Sequence, residues 1–301
     1  MHGSRPCRHD RFRLRASVTE QLVSDRAAIL CVSSHVARGT VGNRAAAFAC
    51  ESLGHPVWSV PTVLLPWHPG RGPGTRMTWP ADGFAALLRD LAGSPRLREL
   101  GGVLTGYCGG ADQPAAIARA IDAARGNGAL YCCDPVIGGV RGLYVPVALA
   151  EAIRDELLPR ADIATPNRFE LGWLAGRDLP DNAALIEAAR ALGPPRVIVT
   201  SAHAGEGRTG NLLVTSERAL LIEHERFDAP NSGTGDLTAA LFLAATVDGL
   251  DDAAALERTT ASVLDVMRET ARAGVDELPL ERARHLLEAP RTVLRAVDIV
   301  E

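Results

Sequence analysis

The stretch Asn231-Ser232-Gly233-Thr234-Gly235-Asp236-Leu237-Thr238-Ala239-Ala240 places two glycines and an aspartate directly before an apolar segment. We expect a helix over Leu237–Val247, because its residues are apolar apart from two threonines. Glycines at this point allow successive backbone N–H groups to turn toward one site at the positive end of the helix dipole. The stretch therefore predicts an anion site made of backbone amides at the start of a helix.

Asp236 adds a carboxylate to this site. A carboxylate would repel a bound phosphate, unless it is there to collect a proton from a reacting group. A phosphate site with a base beside it suggests phosphoryl transfer to a hydroxyl group. The alternative is an ordinary glycine-rich turn in which Asp236 caps the helix. The tetrapeptide alone leaves both interpretations open.

The composition excludes several classes of protein. All 32 basic residues are arginine, so a Schiff-base lysine and the phosphate-binding lysine of a Walker P-loop are both ruled out. Apolar residues make up 47% of the 301 residues, which is ample for a core. No apolar run reaches membrane-spanning length, so we expect no membrane partner.

Charge and cysteine usage indicate a cytoplasmic protein that does not bind nucleic acid. The net charge is −4, and residues 1–25 carry +2 of their own, which leaves −6 for the remainder. We expect residues 1–25 to be a disordered basic head and residues 26–301 to be a single domain. The six cysteines form no CxxC pair, which is typical of reduced thiols rather than of a metal site.

Strand and helix patterns alternate along the chain. We therefore expect an α/β fold with a central, mostly parallel sheet covered by helices on both faces. Val57–Leu65 has a strand pattern that Pro61 interrupts, Leu212–Thr215 and Leu220–Arg226 suggest a hairpin, and residues 203–210 suggest a mobile loop. Five predicted strands end in polar residues, and ligands of such sheets bind at these ends. The ends are Ser33-Ser34-His35, Gly106-Tyr107, Asp134-Pro135, Thr165-Pro166-Asn167 and Thr200-Ser201.

Four motifs in chain order carry a resemblance to a known family. They are Ser34-His35-Val36-Ala37-Arg38-Gly39-Thr40-Val41-Gly42-Asn43-Arg44-Ala45-Ala46, Cys133-Asp134-Pro135-Val136, Thr165-Pro166-Asn167-Arg168-Phe169-Glu170 and Gly233-Thr234-Gly235-Asp236. From about residue 27 to at least Val266 the chain resembles pyridoxal kinases of the ribokinase superfamily. The last motif is common to ribokinase-like enzymes, whereas the first is specific to the vitamin B6 branch. The resemblance implies a ribokinase-like fold, a homodimer, and ATP-dependent phosphorylation of pyridoxal in vitamin B6 salvage.

The resemblance also implies roles for individual residues. Asp236 would be the general base for the 5′-hydroxymethyl group, and the amides of Gly233, Thr234 and Gly235 would stabilise charge on the γ-phosphoryl group. The acceptor site would include Ser34, Val41, His68 and Tyr107. The site for ATP, Mg²⁺ and a monovalent cation (K⁺ or Na⁺) would include Asp134, Tyr144, Thr165, Asn167, Glu170, Thr200 and Ser201, with Asp134 and Glu170 serving the metal.

One loop departs from the family pattern. Pyridoxal kinases usually have Asn-His-Thr-x-Tyr-Gly after the second strand, whereas this chain has Trp67-His68-Pro69-Gly70-Arg71-Gly72. The threonine hydroxyl is replaced by a rigid proline, which puts the preferred B6 vitamer in doubt. His68 itself fits either packing or substrate contact, and Asn167 with Glu170 also fits a helix capping box.

Two other functions stay open. Hydroxymethylpyrimidine kinase shares the anion site and acts on a similar hydroxymethyl heteroaromatic compound. A B6-binding protein that has lost turnover is compatible with the altered loop, although the intact Gly233–Asp236 motif argues against it. A sugar kinase is disfavoured by the Ser34–Asn43 motif.

Overall fold

The computed structural model describes residues 26–227 and 232–299, so the basic head predicted for residues 1–25 lies outside the described residues. The strands, in chain order, are β1 (Ala28–Val36), β2 (Val57–Leu65), β3 (Met77–Thr78), β4 (Leu100–Thr105), β5 (Leu130–Cys133), β6 (Gly138–Gly139), β7 (Gly142–Leu143), β8 (Ile163–Ala164), β9 (Arg196–Ala202), β10 (Arg208–Val214), β11 (Ala219–Glu225) and β12 (Val297–Asp298). The helices are α1 (Asn43–Ser52), α2 (Ala81–Ala92), α3 (Pro114–Arg125), α4 (Val147–Ala152), α5 (Arg168–Ala175), α6 (Asn182–Leu192), α7 (Thr234–Val247), α8 (Asp252–Ala273) and α9 (Leu280–Glu288). Within the described ranges, no helix has both the length and the apolarity needed to cross a bilayer.

Strands β1–β5 and β8–β12 form a mixed sheet in the order β12-β11-β10-β9-β8-β5-β4-β1-β2-β3. The six central strands, from β9 to β2, are parallel, while β10, β11, β12 and β3 add antiparallel edges. The mostly parallel α/β sheet predicted from the sequence is therefore confirmed, as is the β10–β11 hairpin.

Two hydrophobic cores lie on opposite faces of the sheet. Side chains alternate along β1, so that Leu30 and Val32 enter the core under α2, α3, α5 and α6, while Ile29 and Cys31 enter the core under α1, α7, α8 and α9. Helix α7 is apolar almost all round, because it lies between the sheet and α1 and α8 and is buried from Leu237 to Ala245. The start of α7 is thereby fixed against the sheet.

Two local predictions were wrong. Pro61 does not interrupt β2, because it lies opposite Ser33 where an extra residue of β2 shifts the register, and its missing N–H is tolerated at that irregularity. The predicted loop over 203–210 is shorter than expected, because Arg208–Gly210 already pair with β11.

Candidate active site

The predicted polar strand ends lie side by side. Backbone hydrogen bonds continue from strand to strand beyond the regular sheet, from Gly106 N to Val32 O at 3.0 Å and from Asp134 N to Thr105 O at 2.8 Å. The same ladder runs on from Thr165 N to Cys133 O and from Thr200 N to Pro166 O, both at 3.0 Å. The sheet therefore aligns these polar groups along one edge, at the carboxyl ends of its parallel strands.

Asp236 lies in the first turn of α7. The helix begins at Thr234, three residues earlier than predicted, and its N-cap is Gly233, with no side-chain capping bond. The interpretation of Asp236 as the helix cap is therefore wrong. The regular hydrogen-bond ladder of the helix starts with Leu237 N, which donates to Gly233 O at 2.9 Å, so the amides before Leu237 lie in the first turn, ahead of that ladder. Such amides form an anion site at the positive end of the helix dipole.

The carboxylate of Asp236 is held by the turn between β1 and α1. It accepts a hydrogen bond from the N–H of Gly42 and another from its own N–H. Burial raises the pKa of Asp236 to about 6, although these two donors oppose the shift. A carboxyl with this pKa is ionised at neutral pH and is still basic enough to take a proton.

Glycine is required at two places where this turn meets its neighbours. Gly42 has φ +57°, and a Cβ there would lie 2.3 Å from Ser34 O and 2.4 Å from Ser34 Oγ. Gly233 has φ +93°, and a Cβ there would lie 2.0 Å from Thr40 O. Backbone therefore packs directly on backbone between the β1–α1 turn and the start of α7, and this contact fixes Asp236 relative to Ser34.

The residues predicted for the acceptor site fall into two groups. Val41 and His68 line one small pocket, whose other walls are Gly39, Thr40, Arg71, Ser232 and Glu277. Burial and the charge of Arg71 lower the pKa of His68, and its Nδ1 accepts a hydrogen bond from Gly70 N at 3.1 Å. Pro69 starts the short 3₁₀ turn that follows His68.

Ser34 and Tyr107 lie at the ends of β1 and β4. Ser34 is buried, while Tyr107 is half-buried and donates its N–H to Ser33 Oγ at 3.1 Å. The Tyr107 hydroxyl accepts from Arg76 Nη1 at 3.1 Å, and the Arg76 guanidinium lies 5.5 Å from the ring centroid. Arg76 was not predicted, because no motif surrounds it and its loop meets Tyr107 only through the fold.

Asp134 follows β5 and is buried next to Thr165. The Thr165 hydroxyl donates to Asp134 Oδ1 at 2.9 Å. Burial raises the pKa of Asp134 well above its usual range, and the negative charges of Glu170 and Asp236 raise it further. Asp134, Glu170 and Asp236 are far apart in the sequence but lie close enough in the fold for their charges to interact.

Glu170 is buried at the start of α5, where it forms the predicted capping box with Asn167. Its Oε2 accepts from Asn167 N at 2.8 Å, and its Oε1 accepts from Ile137 N at 3.1 Å and Gly138 N at 3.3 Å. Burial nevertheless raises the pKa of Glu170 to about 8. Both carboxylate oxygens are therefore engaged by backbone, and the Asn167 amide also donates to Gly138 O at 2.9 Å.

Tyr144, Thr200 and Ser201 complete the set of predicted residues. Tyr144 is exposed, and its pKa is raised by desolvation and by the charges of Glu170, Asp134 and Asp236, which places it beside the three acids. Thr200 forms a bridge with Asn167. Ser201 is left out of the β9–β10 pairing and has φ +60°, the only positive φ of a non-glycine residue in the described ranges. Strained conformations of this kind cluster at functional sites.

No arginine side chain contributes to the pKa shifts of Asp134, Glu170 and Asp236. The pKa of Asp134 is raised by burial and then by its two acidic neighbours, and no arginine contributes to the shift. Among residues 26–227 and 232–299, however, no three His, Cys, Asp or Glu side chains are arranged to hold a metal by themselves. This arrangement fits Mg²⁺, which protein sites usually hold with one or two carboxylates plus water and substrate phosphates.

The chain is similar to known kinases over most of its length. A family model described as phosphomethylpyrimidine kinase matches residues 100–281. A pyridoxal kinase of Granulibacter bethesdensis is 38% identical over 281 residues, which cover 89% of this chain and 98% of that protein. One of Rubrobacter xylanophilus is 39% identical over 272 residues, covering 87% and 94% respectively. The structure of Leishmania donovani pyridoxal kinase in complex with ADP and pyridoxamine superposes with a TM-score of 0.86 at 27% identity, covering 91% of this chain and 100% of that one.

Gly233 and Gly235 provide a matched pair for testing the backbone contact at Thr40. We expect Gly233→Ala to lower the free energy of unfolding by at least about 2 kcal/mol, because a Cβ would be strained at a positive φ and would meet Thr40 O. A Cβ on Gly235 would meet nothing within 4 Å, so Gly235→Ala should leave the free energy of unfolding nearly unchanged. Denaturant unfolding of both variants measures the difference, and equal stabilities would show that this contact does not hold the two turns together.

Proposed function

This chain belongs to the pyridoxal kinase family, and we propose that it transfers the γ-phosphoryl group of ATP to the 5′-hydroxymethyl group of pyridoxal, giving pyridoxal 5′-phosphate for B6 salvage. The observation that carries the proposal is the carboxylate of Asp236 in the first turn of α7, next to the backbone amides at the N-terminus of that helix. A base and a set of amide donors at one point match what phosphoryl transfer to an alcohol requires.

In the proposed mechanism, Asp236 accepts the proton of the hydroxymethyl group as its oxygen attacks the γ-phosphorus in line. The bond between the γ-phosphorus and the bridging oxygen breaks, and ADP leaves with that electron pair. The amides of Gly233, Thr234 and Gly235 donate to the phosphoryl oxygens, and the dipole of α7 stabilises their charge. Gly42 N–H keeps the carboxylate of Asp236 oriented toward the alcohol.

We assign the remaining predicted residues to the two substrates. The pyridine ring is proposed to contact four residues: Ser34 near the end of β1, Val41 on the turn after β1, His68 on the loop after β2, and Tyr107 after β4. ATP and a monovalent cation are proposed to bind a second group of residues. Thr165, Asn167, Thr200 and Ser201 lie at the ends of β8 and β9, and Tyr144 lies near the three acids.

We further propose that Mg²⁺ accompanies ATP at Asp134. Glu170 would act on it through water, because three backbone N–H groups occupy its carboxylate. When bound, Mg²⁺ supplies positive charge to the phosphate oxygens.

A cytoplasmic homodimer is also proposed, as the family resemblance implies. The exposed side chains of Leu64 and Met77 pair at the β2–β3 edge of the sheet and offer an apolar surface for a second copy. Light scattering of the purified protein measures the assembly, and a monomeric mass would remove this part of the proposal.

An ATP-coupled substrate panel tests the function itself. We expect ADP release with pyridoxal, and compare pyridoxamine, pyridoxine and hydroxymethylpyrimidine at saturating ATP and Mg²⁺. The match of residues 100–281 to a family model described as phosphomethylpyrimidine kinase makes a pyrimidine the second candidate acceptor, which hydroxymethylpyrimidine represents in the panel. A higher kcat/KM for that compound would replace the proposal by the second function, and pyridoxal binding without ADP release would indicate a binding protein.

Asp236→Asn tests the base. We expect kcat to fall about 10²–10⁴-fold with little change in stability, because an amide of the same shape cannot accept the proton. Asp90→Asn, an exposed position on α2 with the same chemical change, serves as the control. Turnover of Asp236→Asn within a few fold of the parent would rule out this assignment.

The pH dependence of kcat/KM of the parent enzyme is an independent test of Asp236 as the base. The base must be ionised, and the pKa of Asp236 is about 6, so kcat/KM should fall as the pH drops below about 6. A kcat/KM that stays level down to pH 5 would contradict a base with this pKa.

Asp134→Asn tests the metal assignment. Removing the buried charge should raise the Mg²⁺ concentration needed for half-maximal rate by about tenfold or more, since one carboxylate ligand is lost. The affinity for pyridoxal, measured without nucleotide, should stay the same. An unchanged Mg²⁺ dependence would place the metal elsewhere.

A further inference from the structure

Four charged side chains form an ionic clasp around the pocket that Val41 and His68 line. The clasp consists of Arg38, Arg71, Asp276 and Glu277. Arg38 Nη1 donates to Glu277 Oε1 at 2.8 Å, and Arg38 Nη2 lies 3.3 Å from Asp276 Oδ1. Arg71 Nη1 lies 3.1 Å from Asp276 Oδ2. Three segments are joined in this way: the β1–α1 turn, the loop after β2, and the segment between α8 and α9.

Glu277 is the most enclosed member of the clasp. Its side chain is 21% exposed, against 61% for Arg38 and 51% for Asp276. A Cβ on Gly39 would lie 3.1–3.3 Å from the Glu277 carboxyl group, so the carboxylate packs directly against the backbone of the turn. A partly enclosed ion pair is less screened by water and salt than a fully exposed one.

A further bond ties the same turn to the same segment. Thr40 Oγ1 donates to Leu278 O at 3.1 Å, while Thr40 O abuts Gly233. The clasp therefore acts on the part of the chain that carries Val41 and, one residue later, the Gly42 N–H that binds Asp236. Through Arg71 it also acts on the loop that carries His68, which is itself part of the pocket.

We propose that Glu277 and Asp276, through Arg38 and Arg71, position the Val41 turn and the His68 loop for binding of the alcohol substrate. Both acids are positioning residues, and neither takes part in proton or phosphoryl transfer. The proposal rests on the function proposed above. It assigns a role to the loop in which Pro69 replaces the family's threonine: here an arginine two residues later fixes the loop to the α8–α9 segment.

The clasp lies on the β1–α1 turn, the loop after β2 and the α8–α9 segment, whereas the side chains assigned to ATP and its cations lie at the ends of β5, β8 and β9. Loosening the clasp should therefore weaken binding of the alcohol and leave binding of the nucleotide unchanged. A mere loss of stability would not separate the two substrates. The split between the two KM values is consequently the decisive measurement.

Glu277→Gln is the test variant, and Glu281→Gln, an exposed position at the start of α9, is its matched control. We expect Glu277→Gln to raise KM for pyridoxal about three- to tenfold and to keep KM for ATP within about twofold of the parent. Loss of a partly enclosed ion pair changes an affinity by about a few fold, and misplacement of the turn weakens pyridoxal binding further. Glu281→Gln should match the parent. Calorimetric titration with pyridoxal alone should show the same loss of affinity.

A charge exchange separates positioning from simple disruption. Arg38→Glu and Glu277→Arg should each raise KM for pyridoxal more than Glu277→Gln does, because like charges then face each other. The double variant restores an opposite pair and should recover most of the lost affinity. If either single variant fails to fold, Arg71→Gln, which removes only the Arg71–Asp276 ion pair, should still raise KM for pyridoxal and leave KM for ATP unchanged.

The outcomes are distinct from those that test the kinase assignment. A parent protein without kinase activity would end the proposed function, and the titration with pyridoxal would still test the clasp. A Glu277→Gln variant that matches Glu281→Gln, or that raises both KM values equally, would overturn the positioning role. Failure of the charge exchange to recover affinity would overturn the pairing of Arg38 with Glu277.

Discussion

The site depends on one backbone contact, between the carbonyl of Thr40 and Gly233. The first belongs to the turn after β1 and the second to the N-terminus of α7, and only a residue without Cβ permits their approach. This contact brings the N–H of Gly42 to the carboxylate of Asp236, and Gly42 itself packs against Ser34. The position of Asp236 relative to Ser34 is therefore set by contacts between backbone segments.

Electrostatics supply the second constraint. Asp134, Glu170 and Asp236 share one region, and the pKa of each is raised by burial. The three acids are nevertheless different in kind. Glu170 is bound by backbone on both oxygens, Asp134 by one hydroxyl, and Asp236 by two amides. This difference agrees with the three roles proposed above: action on the cation through water for Glu170, direct cation binding for Asp134, and proton acceptance for Asp236.

The sequence predicted the sheet, its hairpin and its polar strand ends, because these follow from local periodicity and from the way parallel strands align their ends. The capping box of Asn167 and Glu170 could also be predicted, because its two residues are close together in the sequence. The start of α7 was placed too late, since Gly233-Thr234-Gly235 has poor helix propensity and only the packing of α7 against the sheet extends the helix. The ionic clasp and Arg76 were missed, because no local pattern links Arg38 to a partner 239 residues away.

That separation has a consequence for biosynthesis. The turn after β1 is made early, but Glu277, the partner of Arg38, is made 239 residues later. Loop closure over such a distance is costly and is offset only when both cores have formed. A nascent chain lacking the segment after α8 has no means of completing the pocket. A nascent chain that stops before Asp276 would therefore lack the ion pairs proposed to position the alcohol substrate.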